Sequence, residues 1–240
     1  YIWKTDIKNA FGEITRDAVL EAIRETLPEL HSLFQAYYTH SATIMVHNTD
    51  TNAIVSIYNS EGVRIGDVLG SLAFALAFQI ILDKLRLKYK QQGLLIHCIM
   101  DDCSFSLPAL PPMGNANTTQ QLRLIEQILQ DFQQEAQNIG LTLRADKSNF
   151  IVPHVLHCRE GVFVNCIAEQ QALSHFKKVS GFVFGGFTVG AGGFRVRVFK
   201  EAKTKAMELL SKLKHLDTYS VWLITSLCLP SRLLHLLRYI

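Results

Sequence analysis

Residues 98–105 read CIMDDCSF. Asp101 and Asp102 stand between apolar, strand-forming flanks, LLIHCIM before and CSFSL after. Acids are poor strand residues. An apolar hairpin with two of them at its tip is either a solvated polar turn or a place where cations are held. The rest of the chain has to decide between them.

Working outward, the local patterns are readable. Residues 1–6 alternate, with Ile2, Lys4 and Asp6 on one face and Tyr1, Trp3 and Thr5 on the other, which predicts a strand ending at Asp6. A helix is expected over about 16–27. Thr15 is placed to cap it, with Ile14 and Val19 as a hydrophobic staple. ATIMVH and AIVSIY, joined by NTDTN, predict a hairpin within 42–58. A glycine-punctuated loop, SEGVRIGD, leads into a helix over about 68–88 that is apolar nearly all round, so it should be buried; Asp67 is placed to cap it. Residues 94–107 form a second hairpin, with Asp101 and Asp102 at the turn. LPALPPMGNAN reads as loop. Residues 119–139 carry one apolar side (Leu122, Ile125, Ile128, Leu129, Phe132, Ala136, Ile139), and Gly140 is placed to end that helix. LTL and FIV are short strands around RADKSN. Residues 161–198 read as strands and hairpins, and two helical stretches follow near 200–215 and 219–239. Antiparallel strands interleaved with helices predict an α+β domain with the helices on one face of the sheet.

Composition sets bounds without naming a function. The chain has 240 residues, 48% of them hydrophobic and 19% charged, enough for a sizeable core. The formal net charge of +3 permits a nucleic-acid partner without demanding one. The five cysteines (Cys98, Cys103, Cys158, Cys166, Cys228) form no CxxC. That argues against a disulfide scaffold and a zinc ribbon and fits an intracellular, reducing setting. The histidines show no HxxxH or HExxH pattern. GGFTVGAGG lacks the GK[ST] of a phosphate loop and reads as hairpin glycines. The longest apolar stretch, Leu69–Phe78, is too short for a membrane span, and no signal peptide is visible. The chain begins within a strand pattern and ends within an apolar helical one, as a piece of something longer would.

The acids suggest chemistry when taken together. Asp6 ends one strand and Asp101 begins a turn, and both are able to reach one edge of the same sheet. Carboxylates gathered there repel, and one holds its proton unless a cation neutralises them. A hard divalent ion with oxygen ligands does so; Mg²⁺ takes one or two carboxylates plus substrate phosphates. Taken singly, Asp6 also reads as a residue approaching a helix, and Asp101 and Asp102 as a β-turn.

TDIKNAFGEI (5–14), EGVRIGDVLGSLAFALAF (61–78), CIMDDCSF and GLTLRADKSNF (140–150) occur in the order and spacing of the palm motifs of reverse transcriptases, and the chain most resembles the polymerases of non-LTR retrotransposons. FKKVSGFVFGGFTVG (176–190) resembles the hairpin that follows the palm in that family, and SLCLPSRLLHLLR (226–238) the helical segment beyond it. The resemblance implies a right-hand polymerase palm and the start of a helical thumb, with the fingers largely absent. Residues 1–160 would be palm, 161–198 a primer-grip-like hairpin region and 199–240 a thumb-like helical segment.

By that resemblance Asp6 and Asp101 are the principal metal ligands, with Asp102 beside them and Ile7 lending a backbone carbonyl. The ions would be two Mg²⁺, with Mn²⁺ as a substitute. Phe11 matches the bulky gate under the sugar of the incoming nucleotide, which favours deoxynucleotides; it also reads as a core aromatic. Gly62 and Gly66 let the loop backbone approach a ligand. Arg64 is placed to meet a phosphate, or to be a solvated loop charge. Lys147 matches a proton donor to leaving pyrophosphate, or is an exposed loop lysine. Ile99, Met100, Phe184 and Gly185 fall where the primer and template lie. Lys200, Lys203, Lys205, Lys212 and Lys214 make one helix basic, as a nucleic-acid-facing or a solvated helix would be. The implied partners are an RNA or DNA template with primer and dNTPs, with no membrane.

Three positions depart from the family pattern. Ile65 stands for a glutamine, Val68 for a proline and Ile99 for a tyrosine. They leave two alternatives to an active reverse transcriptase: a non-catalytic nucleic-acid-binding derivative of the same fold, and an RNA-templated RNA polymerase, against which Phe11 argues.

Overall fold

The computed structural model describes residues 1–50, 52–64, 67–108, 115–151, 171–185, 187–224 and 226. Its centre is a five-stranded sheet in the order β4-β5-β1-β6-β7. These strands are β1 (Ile2–Thr5), β4 (Leu95–Ile99), β5 (Asp102–Ser106), β6 (Asn149–Ile151) and β7 (Lys177–Val179). The helices between them are α1 (Ala10–Glu13), α2 (Arg16–Thr26), α3 (His31–Tyr38), α4 (Val68–Lys88) and α5 (Asn115–Asn138). Two separate hairpins are β2 (Ala42–Asn48) with β3 (Ala53–Asn59), and β8 (Gly181–Phe184) with β9 (Phe187–Gly190). α6 (Gln171–Ser174), α7 (Gly192–Lys212) and α8 (Thr218–Leu223) complete the described chain. Among the described residues no helix is long and apolar enough to cross a membrane.

The period-2 pattern of the strands fixes which face is buried. Ile96 pairs with Phe105, Phe105 with Trp3 and Trp3 with Phe150, so one row of large side chains crosses four strands. All four are buried, each side chain contributing about 1.5–3 kcal/mol by leaving water. Trp3 and Phe105 stack with centroids 5.4 Å apart. Behind them Phe132 of α5 meets Phe105 at 5.0 Å and Phe78 of α4 at 6.1 Å. Phe78 meets Phe74, and Phe74 meets Phe11 at 4.6 Å. Offset and edge-on rings of this kind add to the area they bury. They run continuously from the sheet core to α1, at the mouth of the acidic edge. The next row, on the opposite face, carries Ser104, Lys4 and Asn149, paired across β5, β1 and β6.

The local signals hold in most places. Asp67 caps α4, its carboxylate accepting from the Leu69 N–H at 3.1 Å, and Gly140 follows α5. Thr15 is extended ahead of α2, yet its side chain makes no capping hydrogen bond. Four expectations are corrected. The sheet is not wholly antiparallel, because β6 and β7 pair in parallel. LTL contributes only an isolated bridge, Ile7 to Leu143. α5 starts at Asn115, inside the segment read as loop.

The fourth correction is the largest. FRVRVFK (194–200) alternates like a strand, but lies in α7. Phe194, Val198, Phe199, Ala202 and Ala206 are half-buried, a stripe along one side of a helix. Arg197 stacks on Phe194 at 5.3 Å and pairs with Glu201 at 3.9 Å, both at spacings that only a helix brings together. Ile65, Gly66, Gly186, Cys158, Cys166, Cys228 and nearly all of SLCLPSRLLHLLR lie outside the described residues, as does the Val68 side chain.

Arg16 ties the β2–β3 hairpin to the rest of the molecule. Its guanidinium donates to the carbonyls of Gly62, Tyr38, His40 and Asn59 and to the Asn59 side chain, at 3.0–3.3 Å. Charged hydrogen bonds to half-buried carbonyls are among the stronger ones, and removing their donor strands the acceptors. Arg16→Met is expected to cost about 3 kcal/mol, lowering the melting temperature by about 6–12 °C in thermal unfolding.

Candidate active site

β1 and β5 are antiparallel, and Thr5 pairs with Cys103. The next residues on the two strands are Asp6 and Asp102, so the ladder delivers both to the same edge. Asp101 precedes Asp102 in a two-residue turn with Met100, closed by the Ile99–Asp102 pair. Met100 has φ +56°, the left-handed region that tight hairpin turns need. Asp102 therefore begins β5 rather than sharing the turn. All three acids are partly exposed.

The Asp6 backbone is held by the RADKS turn. Its N–H donates to Ser148 Oγ at 3.1 Å, its carbonyl accepts from the Arg144 N–H at 2.8 Å, and Ser148 Oγ donates to the Arg144 carbonyl at 2.8 Å. Ser148 is buried, and sequence reasoning missed it; a serine four positions past an arginine has no local signal for clamping a distant strand. Lys147 sits exposed on this same turn. The bonds flanking the Ile7–Leu143 bridge use the Lys8 N–H and the Asp6 carbonyl, leaving the Ile7 carbonyl out of that pairing.

Charge at this edge is only partly balanced. Burial pushes the Asp101 carboxyl above the usual carboxylate range; the charges of Asp102 and Asp6 push the same way, against its own backbone N–H and Lys4. Lys4 Nζ lies 2.8 Å from Asp102 Oδ1. Among the described residues, no three or more His, Cys, Asp and Glu side chains converge as a ligand set for a metal ion. The donors that remain are hard oxygens: the Asp6 and Asp101 carboxylates and the Ile7 carbonyl. One or two carboxylates completed by substrate phosphates is the way Mg²⁺ is usually held, so these residues fit such an ion.

Phe11, Gly62 and Arg64 divide. Phe11 is half-buried against Phe74 beside the edge. Gly62 lies against it: the Val63 N–H donates to the Phe11 carbonyl at 2.8 Å, and the Gly62 N–H to that of Ile14 at 3.1 Å. Arg64 is turned elsewhere. Its guanidinium stacks on Tyr37 at 3.9 Å and donates to the Tyr37 carbonyl at 3.1 Å. α3, which supplies Tyr37, carried no motif in the sequence. At the acid-bearing turn, Ile99 and Gly185 are brought into contact. A Cβ built on Gly185 would fall 2.1 Å from Ile99 Cδ1. The β8–β9 turn, with Phe184 and Gly185, thus rests on the acid-bearing hairpin.

The fold is that of a polymerase palm. Residues 1–189 match the family model for reverse transcriptase (RNA-dependent DNA polymerase), and the chain belongs to that family. No curated protein sequence matches it. Solved structures similar to it include apo telomerase from Candida tropicalis truncated from its C-terminal domain, at 13% identity and TM-score 0.53, over 79% of this chain and 33% of that one. Telomerase from Candida albicans in complex with a TWJ fragment of telomeric RNA matches at 12% identity and TM-score 0.52, over 79% and 30%. What is shared at these identities is the fold. The chain spans about a third of the length of those telomerases.

Proposed function

We propose that this chain is the palm-centred portion of a retroelement reverse transcriptase that copies an RNA or DNA template into DNA from dNTPs. The observation that supports it most is the Thr5–Cys103 register, which sets Asp6 beside the Asp101–Asp102 turn. Asp6 and Asp101 would hold two divalent ions, Mg²⁺ or Mn²⁺, with Asp102 beside them and the Ile7 carbonyl as a further oxygen. The chemistry supplied there by bound metal is activation of the primer 3′-hydroxyl and stabilisation of the leaving pyrophosphate oxygen. Phe11 excludes a 2′-hydroxyl under the incoming sugar, with Gly62 holding the loop against it; Gly66 serves the same nucleotide. Lys147 donates a proton to pyrophosphate. Ile99, Met100, Phe184 and Gly185 seat the primer end and template. Arg64 shapes the nucleotide side through Tyr37. Residues 1–160 act as palm, 161–198 as the primer-holding hairpin region and 199–240 as the base of a thumb.

Primer extension by the full-length polymerase that carries this domain tests the reading. Mg²⁺- or Mn²⁺-dependent incorporation of dNTPs on an RNA template is expected. Primer–template binding without incorporation would make the chain a non-catalytic derivative. Robust ribonucleotide incorporation would make it an RNA polymerase and overturn the role given to Phe11.

A further inference from the structure

Cys98 and Cys103 are partners across the acid-bearing hairpin, one step below the Ile99–Asp102 pair that closes its turn. The ladder fixes what kind of pair they make. Tyr1 and Leu107 exchange both backbone hydrogen bonds. By the alternation of an antiparallel ladder, Phe105 and Cys103 likewise turn their N–H and carbonyl toward β1. Cys98 and Cys103 are therefore a non-hydrogen-bonded pair, the kind whose Cα atoms stand about 4.5 Å apart with the side chains close together. Disulfides span Cα separations of about 4.4–6.8 Å, so the pair is within bonding reach. Both are free thiols, and that of Cys103 is hydrogen-bonded to that of Cys98. They differ in access. Cys103 is fully buried on a strand flanked by β1 and β4, whereas Cys98 is half-buried on β4, the outer strand of the sheet.

We propose that these two cysteines are a modification site: a small peroxide oxidises Cys98, Cys103 resolves it to a disulfide, and that bond is a reversible brake on the acid-bearing turn. The effect on catalysis rests on the polymerase reading above; the chemistry of the pair does not. In the first step the Cys98 sulfur takes one oxygen of hydrogen peroxide, giving a sulfenic acid and water. In the second the Cys103 sulfur attacks the Cys98 sulfur, and its proton leaves with the displaced hydroxyl as a second water. Two thiols lose two electrons in all, and one peroxide is reduced to two waters. Transient, redox-sensing disulfides are the kind that occur in reducing compartments. Bond formation draws the sulfurs from hydrogen-bond contact to about 2.05 Å. Cys103 has little room to move, being fully buried and laddered to Thr5. β4, as the outer strand, takes up the shift and carries Ile99, Met100 and Asp101 with it. Misplacing a reacting group by about 1 Å costs about 100-fold in rate.

The test exposes the full-length polymerase to hydrogen peroxide and then to dithiothreitol, in wild type, Cys98→Ala and Cys103→Ala. Non-reducing peptide mapping and primer-extension kinetics are read at each stage. In the wild type a Cys98–Cys103 cross-link is expected, with kcat lowered about 10- to 100-fold and recovered on reduction. Cys98→Ala is expected to keep its activity through the peroxide step. Cys103→Ala is expected to stop at oxidised Cys98, with no cross-link. Met100, exposed in the same turn, is a second target for peroxide, but dithiothreitol does not reverse a sulfoxide, which needs its own reductases. Inactivation that survives reduction, or that is equal in Cys98→Ala, would therefore assign the effect to another residue and overturn the proposal. Cys98 oxidised without a bond to Cys103 in the wild type would overturn the disulfide, and a cross-linked protein of unchanged kcat would overturn the brake. Should Cys103→Ala fail to fold, Cys98→Ala carries the comparison. If the wild type binds primer–template without incorporating nucleotides, the polymerase reading fails, while the peptide map still decides whether the pair is bonded.

Discussion

Asp101→Asn is expected to abolish metal-dependent incorporation, a fall of about a thousandfold or more, while raising the thermal stability of the metal-free protein. The two effects share one cause. The Asp101 carboxyl is pushed above its ordinary value of 3.8, first by burial and then by the charges of Asp102 and Asp6. Its ionised form is therefore a cost to the folded state, offset only in part by Lys4. Asparagine keeps the shape and removes the charge, so the fold is relieved. The same change removes a hard anionic donor that divalent-metal chemistry needs, and several kcal/mol of transition-state stabilisation with it. The pH dependence has a definite sign. A carboxyl with a raised folded-state pKa binds more proton in the native than in the unfolded chain, over the window from about 3.8 upward to its folded value. The metal-free wild type therefore gains stability relative to Asp101→Asn as pH falls through that window and loses it as pH rises. Melting temperatures of the two proteins measured across pH would show this as a closing gap; a gap that stays constant with pH would refute the assignment.

Gly62→Ala is expected to be among the most damaging single-methyl additions in the described chain. Gly62 has φ +70°, and a Cβ there would lie 2.6 Å from the carbonyl oxygens of both Phe11 and Gly12 and 2.7 Å from Gly12 Cα. Those are backbone atoms, so no side chain can swing away. The left-handed conformation alone costs a β-carbon about 1–2 kcal/mol, and displacing the loop also lengthens the Val63–Phe11 and Gly62–Ile14 hydrogen bonds. A loss of about 3–4 kcal/mol is expected, or about 6–16 °C in melting temperature. Gly93→Ala is the matched control. Its φ is +72°, but its Cβ would meet only the ring of Pro108, at 3.2 Å. It should cost about 1–2 kcal/mol, the conformational part alone. Equal losses at the two positions in thermal unfolding would rule out the close approach as the cause. In the polymerase, lifting the loop off Phe11 is also expected to raise KM for dNTP more than KM for primer–template.

Much of this architecture is written locally. Trp3 in and Lys4 and Asp6 out follow from alternation, and the apolar run of α4 and the stripe of α5 follow from composition and period. Asp67 names its own helix start. The resemblance in motif order places Asp6, Phe11, Gly62 and the Asp101–Asp102 turn in one domain. The strand faces, helix stripes and cap were legible because each depends on residues within a few positions of one another.

The rest depended on partners distant in the chain. FRVRVFK carries a period of two and a period of four at once, and only the packing of α7 selects the helical one. Arg16 looks like any helix-start arginine until four carbonyls from three other segments converge on it. Arg64 has the composition of a phosphate ligand, and the ring of Tyr37 claims it. Lys4 reads as the polar half of an alternating strand; folding sets Asp102 and the Val183 carbonyl around its ammonium. The sequence by itself determined which residues face the core and which acids end a strand or begin a turn, because period and turn chemistry are local. Tertiary structure alone decided which cation meets which acid, because Coulomb and hydrogen-bond partners are set by distance in space and not by distance along the chain.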